Sequence, residues 1–276
     1  MEIMEIIKES LIFPSNDLAK LAIYIALTFA AGILAVLGIV LFAIGAYDNI
    51  GFSIIGAIVF IAGLIIIFIL TGYLVSIVKS GIDQADAAPE FVWKENLIVG
   101  IKFVIMNIVY FIIPAIVVLI VGWATNLFGN AISIFNQIMI ANMMAPANTT
   151  VMISEVVPQS QFVALGTAMI ITGIIAFILF LIFAFLQTMG EARLANTGSL
   201  GSSVNIVESF KDIGRIGWGK VIAVVLLIFI IIAVINVIIN GLNSYITGFS
   251  ILSIIVTPYL TFFASRATGL LYSDIA

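Results

Sequence analysis

Six long apolar stretches dominate this sequence and restrict what the chain can fold into. They cover roughly residues 21–44, 52–78, 103–125, 162–187, 221–240 and 246–264. None of them carries Lys, Arg, Asp or Glu in its central part. A helix needs about 20 apolar residues, each rising 1.5 Å, to cross the hydrocarbon of a bilayer. The pattern therefore predicts an all-α, polytopic integral membrane protein with about six transmembrane helices in three hairpins.

The composition favours lipid, rather than water, as the solvent of this chain. Of 276 residues, 63% are hydrophobic and 9% are charged, whereas soluble domains average about 25% charged residues. The first apolar stretch is too long for the hydrophobic region of a signal peptide. Acidic residues also precede it, where a signal peptide is basic. We therefore expect residues 1–276 to form a single transmembrane domain that keeps its first span.

The basic residues indicate the orientation, because cytoplasmic connections are enriched in Lys and Arg. With the N-terminus inside, six spans place all ten basic residues in the cytoplasm. The external segments 45–51, 126–161 and 241–245 then hold only Asp48 and Glu155 as charges. The basic residues that mark the cytoplasmic face are Lys20, Lys79, Lys102, Arg193, Lys220 and Arg266. The sequence predicts a multi-pass protein of the cell membrane with both termini cytoplasmic.

A seven-span arrangement is the alternative, because residues 103–154 carry no charge and could cross twice. Every later segment would then invert. Five basic residues would be exported, and the ten-to-none distribution would become five-to-five. The positive-inside rule therefore excludes seven spans.

Short amphipathic stretches precede the spans on the cytoplasmic side and are predicted to form interfacial helices. One lies at the N-terminus. Another follows Asn205, which can cap a helix that carries Glu208 at its third position. The apolar side of this second helix would be Val204, Val207, Phe210 and Ile213. A third stretch follows Pro89, before the third span, with Phe91, Trp93 and Leu97 opposite Lys94 and Glu95.

The largest external segment, 126–161, alternates amides with apolar residues at helical spacing. It predicts either an amphipathic helix on the outer leaflet or a re-entrant element lined by protein. Asn148 begins the sequence Asn-Thr-Thr and is a candidate glycosylation site.

The chemistry available to this chain is restricted. It has no Cys and no His, which removes thiol nucleophiles, the usual nitrogen and sulfur metal ligands and imidazole acid/base catalysis. The spans lack ionisable residues, which mark proton relays and ion paths in membranes. No Walker A motif is present. We expect a protein that is not an enzyme and needs no cofactor or metal, and its net charge of −4 argues against a nucleic-acid partner.

Neutral residues remain as candidates for a functional site. They are Asn107, Tyr110, Pro114, Gln187, Asn236, Asn240 and Pro258. They could form a polar path or a substrate site, since a proline frees a backbone carbonyl that can line a cavity. The alternative is hydrogen bonding between helices with ordinary kinks. Glycines in the first two spans predict close helix packing: Gly32, Gly38, Gly45, Gly56 and Gly63.

Several different short motifs are spread from the second span to the end of the chain. They are Gly72-Tyr73 followed by Lys79, Pro89 with an aromatic residue after it, Gly100-Ile101-Lys102, Ala192-Arg193, and Pro258 with Arg266, Gly269 and Tyr272. Through them the sequence resembles the domain-of-unknown-function family 4013 of archaeal and bacterial polytopic membrane proteins. That family is distantly similar to membrane domains attached to glycerophosphodiester phosphodiesterases. The resemblance implies work related to the envelope or to lipids.

Two functional hypotheses follow from these observations. The first is a transporter-like bundle that handles or organises lipids or apolar solutes. The second is a structural or accessory subunit of a larger membrane complex. Membrane lipids are the expected partners in the first case, and other membrane subunits or a second copy of the chain in the second.

Overall fold

The computed structural model describes residues 1–47, 49–146, 152–243, 245 and 248–276, and within these residues it contains helices and no strand. The helices are α1 (Ile3–Asn16), α2 (Leu18–Tyr47), α3 (Ile50–Ile82), α4 (Trp93–Ala124), α5 (Leu127–Met144), α6 (Ile153–Val156), α7 (Gln159–Thr197), α8 (Leu200–Ser203), α9 (Ile206–Ile216), α10 (Trp218–Asn243) and α11 (Ser253–Tyr272). A short 3₁₀ helix, Phe249–Leu252, precedes α11. Asp48 and the candidate glycosylation site Asn148 lie outside the described residues.

Six of the described helices are long enough and apolar enough to cross a membrane, namely α2, α3, α4, α7, α10 and α11. This confirms the predicted all-α, six-span count. Helix α5, the element that a seventh span would need, is not among the six found in the described part of the chain. Most of the six helices are longer than the predicted apolar stretches, since a helix can continue beyond the hydrocarbon into polar surroundings.

The last span is displaced from its predicted position. The apolar stretch predicts a span at 246–264, but α11 runs from Ser253 to Tyr272 and includes Arg266. A charged residue normally ends a span. Here the guanidinium is buried among polar partners of the same protein, so the helix continues for more than a turn beyond it.

The described chain forms two compact units. Unit 1 contains residues 1–107 and 185–276, and unit 2 contains residues 108–184. All ten basic residues belong to unit 1. Unit 2 comprises the second half of α4, helices α5 and α6, and the first part of α7.

Helices α2 and α3 pack closely because glycines line their contact. A Cβ on Gly38 would lie 2.6 Å from the Phe60 nitrogen, and one on Gly45 would lie 2.1 Å from the Ser53 nitrogen. A Cβ on Gly56 would lie 2.4 Å from the Phe42 nitrogen, and one on Gly63 would lie 3.1 Å from the Ala31 oxygen. Small residues are the usual means by which membrane helices approach each other. Gly32 differs from the other four, because a Cβ added there would meet no heavy atom within 4 Å.

Two further close helix crossings occur where α3 meets α4 and α11. A Cβ on Gly72 would lie 1.8 Å from the carbonyl oxygen of Asn96, and one on Gly100 would lie 1.8 Å from that of Phe68. At the crossing with α11, a Cβ on Gly269 would lie 2.1 Å from the Val78 oxygen. No side chain fits at these positions, so glycine fixes the distance between the helices.

Two of the three predicted amphipathic stretches form α1 and α9. The third, after Pro89, does not form a helix of its own, because α4 begins at Trp93 and continues into the span. Helix α1 packs against α11, α2 and α10 and buries Ile6, Ile7 and Phe13. Helix α9 begins as predicted, because the Asn205 side chain accepts a hydrogen bond from the Glu208 nitrogen at 3.1 Å. The Glu208 carboxylate itself accepts a bond from Lys211 at 2.7 Å.

Candidate functional site

Arg266 lies at the centre of a buried polar cluster in unit 1. Its side chain is only 1% exposed. One terminal nitrogen donates to the carbonyl oxygens of Ser80 and Ala85, each at 2.8 Å, and the other pairs with the Glu9 carboxylate. The guanidinium also lies over the Phe13 ring, 4.6 Å from its centroid. Arg266 thus joins α11 to α1, to the end of α3 and to the connection that follows α3.

A second cluster is built around the buried carboxylate of Asp212 on α9. It accepts hydrogen bonds from Arg193 at 2.7 Å, from Arg215 at 2.9 Å and from the Tyr272 hydroxyl at 3.1 Å. Arg193 also donates to the carbonyl oxygen of Ser202 at 3.1 Å. A buried charge needs partners of this kind, since an unpaired carboxylate in this position would cost several kcal/mol. The cluster fixes α9 to the ends of α7 and α11.

Three lysines hold other parts of the chain through backbone carbonyls. Lys20 donates to the Ala88 oxygen at 2.7 Å, Lys102 to the Gly198 oxygen at 2.7 Å, and Lys220 to the Met1 oxygen at 2.6 Å. Lys220 also pairs with Asp274, which accepts a bond from the Met1 ammonium as well.

All six predicted topology residues therefore lie at one end of unit 1. The sixth, Lys79, pairs with Asp83 at 2.8 Å and lies 3.5 Å from the Asn196 side chain. These bonds bring together the first helix, the α3–α4 connection, the α7–α9 connection and the last residues.

The motifs that carry the family resemblance meet in the same region. The Tyr73 ring stacks on Phe91, with centroids 3.7 Å apart, and its hydroxyl donates to the Pro89 oxygen at 3.0 Å. Tyr24 and Phe262 complete this aromatic cluster. Gly72, Gly100 and Gly269 form the close crossings described above. The motif residues are structural contacts that determine how this end packs.

The neutral candidate amides are hydrogen-bonded within their own helices. Asn107 donates to the Phe103 oxygen at 2.9 Å, Asn236 to the Ile232 oxygen at 2.8 Å, and Asn240 to the Asn236 oxygen at 2.9 Å. Gln187 is hydrogen-bonded to the side chain of Glu191, four residues further on. Asn236 also lines a small pocket of about 270 Å³ between α10 and α11. In unit 2, Tyr110 and Pro114 are both buried in α4.

A cavity that could hold a ligand is a groove between α2 and α11, with a volume of about 700 Å³. Its apolar lining comprises Ile25, Phe29, Ile33, Val36, Leu37 and Val40 on α2, and Ile254 and Pro258 on α11. It extends along α2 from Tyr24 to Val40, which is about 24 Å at 1.5 Å per residue. We call this cavity the α2/α11 groove.

The α2/α11 groove offers few free polar groups. The Thr28 hydroxyl donates to the Tyr24 oxygen, and the Thr261 hydroxyl donates to the Thr257 oxygen, each at 2.8 Å. Both hydroxyls are therefore satisfied by their own helix. Gly32 lines the groove with open space in front of it. Among the predicted candidates, Pro258 belongs to this lining.

Sequence reasoning missed the groove, because α2 and α11 are more than 200 residues apart in the chain. The alignment of Thr28, Gly32 and Val36 on one helix face was the available signal. Elsewhere, a smaller cavity of about 340 Å³ next to Lys79 and Asp83 is partly closed by their ion pair. Among the residues that the structure describes, no group of three or more acidic side chains could hold a metal ion.

Six apolar helices of membrane-crossing length, joined at one end by hydrogen bonds and ion pairs of basic residues, define a multi-pass helical membrane protein. Within this class of protein, the family can also be named. The chain matches the family model described as "Protein of unknown function (DUF4013)" over residues 55–244, and it belongs to that family. This match confirms the resemblance seen in the motifs. Searches of curated proteins and of solved structures gave no match.

Proposed function

We propose that this protein holds the acyl chain of a membrane lipid in the α2/α11 groove, and that it organises or moves lipids without catalysing a reaction. The observation that carries the proposal is the groove itself. Its volume of about 700 Å³ lies within the usual range for ligand sites, about 300–1,000 Å³. Its length along α2 is about 24 Å, so a long, thin ligand fits better than a compact one.

The lining determines the chemical class of the occupant. Isoleucine, valine, leucine and phenylalanine side chains surround the groove, and two of its hydroxyls are already hydrogen-bonded within their helices. A polar solute would lose its water without gaining partners. An alkyl chain makes no hydrogen bonds to water and therefore has none to lose. Hydrocarbon is already the solvent here, so we expect selection by packing and shape rather than by dehydration.

We propose that the end of unit 1 that carries the basic residues faces the cytoplasm of the cell, with both termini on that side. The ten basic residues all belong to unit 1, and cytoplasmic connections are the ones enriched in Lys and Arg. Tyr24, at the basic end of the groove, packs edge-on against Phe262 at 5.0 Å. The groove is then closed towards the cytoplasm and extends towards the outer leaflet.

The experiment fills the groove without disturbing the fold. Gly32→Leu places a side chain in the open space of the groove, because no heavy atom lies within 4 Å of the Cβ position. Gly219→Leu is the matched control, since Gly219 on α10 has equally open surroundings and does not line the groove. The protein is extracted gently, and its bound lipid is measured by native mass spectrometry.

We expect the wild type and Gly219→Leu to retain lipid to the same extent, and Gly32→Leu to retain several-fold less. A wild-type protein that reproducibly carries no lipid would contradict the proposal. Equal retention by Gly32→Leu and Gly219→Leu would assign the lipid to another surface.

An accessory-subunit role is the second candidate, and the surface of α5 favours it. Phe135 and Met144 are among several large apolar side chains that this uncharged helix of unit 2 exposes. A partner subunit would cover such a surface. Cross-linking before extraction tests this role, and a protein that remains monomeric and free of partners in native membranes would contradict it.

A further inference from the structure

Helix α9 has two different faces. The inner face is buried and consists of Ser209, Asp212 and Ile213. Asp212 fixes this face to Arg193 and Tyr272. The sequence predicted one apolar side, and the structure shows that its members are divided. Ile213 points into the protein, while Val207 and Phe210 are more than half exposed on the other side.

The outer face is a continuous helical stripe. Residues 207, 210, 211, 214 and 215 follow the i, i+3, i+4, i+7, i+8 spacing that places side chains on one side of a helix. Phe210 extends the stripe to Trp218, since the two rings meet edge to face with centroids 5.0 Å apart. Trp218 is also exposed. We call Val207, Phe210, Lys211, Arg215 and Trp218 the α9 outer face.

The exposed charge of the α9 outer face is positive. The side chains of Lys211 and Arg215 are 55% and 57% exposed, while their acidic partners Glu208 and Asp212 are 28% and 1% exposed. The acids are turned towards the protein and the cations towards the surroundings. A cationic edge beside apolar and aromatic residues is the arrangement of helices that lie in the headgroup layer.

The position of this face relative to the membrane follows from the chain. Gly217, with φ of +108°, separates α9 from α10. Trp218 is the first residue of α10, which is one of the helices long enough to cross the membrane. Tryptophan at the end of a span lies at headgroup level. Phe210 contacts that ring, so the α9 outer face continues onto the membrane-facing surface at this depth.

We propose that the α9 outer face binds the anionic lipid headgroups of the membrane that the protein spans. Val207, Phe210 and Trp218 enter the boundary between headgroups and acyl chains, and Lys211 and Arg215 contact lipid phosphates. The inner face holds Asp212 against Arg193 and Tyr272. The lipid surface and the buried cluster therefore fix opposite sides of one short helix. This inference does not depend on what occupies the α2/α11 groove.

The test uses the absence of cysteine in this chain. Val207→Cys and Phe210→Cys are each labelled with a nitroxide in the full-length protein, in nanodiscs of phosphatidylcholine with or without phosphatidylglycerol. Gly201→Cys, at an exposed residue of the same connection, is the aqueous control. The collision rates of each label with oxygen and with a water-soluble nickel chelate report its depth.

We expect labels at 207 and 210 to favour oxygen over the nickel chelate, and the label at 201 to show the reverse. Chelate access at 207 and 210 equal to that at 201 would overturn the proposal. Labels excluded from both reagents would also overturn it, because a protein partner would then cover the face.

The charge requirement is tested separately. Each surface cation contributes about a fivefold preference for an anionic membrane. In nanodiscs that contain phosphatidylglycerol, Lys211→Gln should therefore reduce the ratio of lipid-contacting to aqueous label at Val207→Cys about fivefold. Lys94→Gln, which removes an exposed cation on α4, is the matched control and should leave the ratio unchanged. An equal effect of the two substitutions, or no effect of Lys211→Gln, would refute a specific contact with anionic lipid.

Discussion

Replacing Gly72 with alanine tests whether glycine sets the distance between α3 and α4. The added Cβ would lie 1.8 Å from the Asn96 carbonyl oxygen, whereas ordinary contact begins at 3.4 Å. The obstacle is backbone rather than a flexible side chain, so one helix must move by about 1.6 Å, the difference between those two distances. A separation of that size removes most of the dispersion energy at the crossing.

Overpacking of this kind costs up to about 3 kcal/mol. The higher helix propensity of alanine returns about 1 kcal/mol, which leaves a net loss of about 2 kcal/mol. Gly173→Ala, in the interior of α7, is the control, because its Cβ meets no heavy atom within 4 Å and only the propensity gain applies. The free energies of unfolding of the two variants should differ by about 3 kcal/mol.

The assay is reversible unfolding in mixed micelles, with the mole fraction of sodium dodecyl sulfate as denaturant and helical circular dichroism as the signal. Gly72→Ala combined with Gly100→Ala should cost little more than either change alone, because the first substitution already separates the helices. The reasoning fails if Gly72→Ala unfolds at the same detergent fraction as Gly173→Ala.

Three further substitutions concern the basic end of unit 1. Tyr73→Phe should cost about 1 kcal/mol in the same unfolding assay, because it loses the bond to the Pro89 oxygen and keeps the ring stack; no change would mean that water replaces the bond. Arg266→Lys should lower the free energy of unfolding by about 2 kcal/mol, since one ammonium cannot replace a guanidinium that reaches two carbonyls and a carboxylate. A stability equal to wild type would refute the role of the guanidinium in joining these segments. Burial alone would raise the pKa of Asp274, but hydrogen bonds from Lys220 and the terminal ammonium hold it below its ordinary value. The pairing therefore stabilises the fold above the unfolded pKa of about 3.9 and is lost as the pH falls through the lower, folded pKa. The stability difference between wild type and Asp274→Asn should be constant from about pH 7 to 5 and shrink below about pH 4; a constant difference down to about pH 2 would contradict the pairing.

The membrane-crossing helices were predictable because their signal is local. Apolar length and the absence of central charge are properties of one segment. The glycines of α2 and α3 likewise predicted close packing of these two helices. Gly38, Gly45 and Gly56 do bring the two helices together. Gly32 does not, because helical spacing cannot tell which side of α2 faces α3 and which side faces the α2/α11 groove.

The features that were not predicted depend on residues far apart in the chain. Arg266 was placed after the last span because an isolated guanidinium is too costly in hydrocarbon. Its partners Glu9, Ser80 and Ala85 lie 181 to 257 residues away, and only their positions in the fold make the burial tolerable. The divided faces of α9 have the same origin, since Asp212 becomes an inward residue only when Arg193 and Tyr272 are beside it.

The bonds from Lys20, Lys102 and Lys220 to main-chain oxygens have an evolutionary consequence. Every residue type carries a carbonyl, so these bonds make no demand on the side chains at the partner positions. Ala88 is restricted instead by the buried core around it, and Gly198 by its positive φ of +64°. The lysine side chain, in contrast, supplies the donor, so its substitution removes the bond. Related sequences should therefore keep these lysines, and correlated substitution between each lysine and its partner position should be weak even though the two touch.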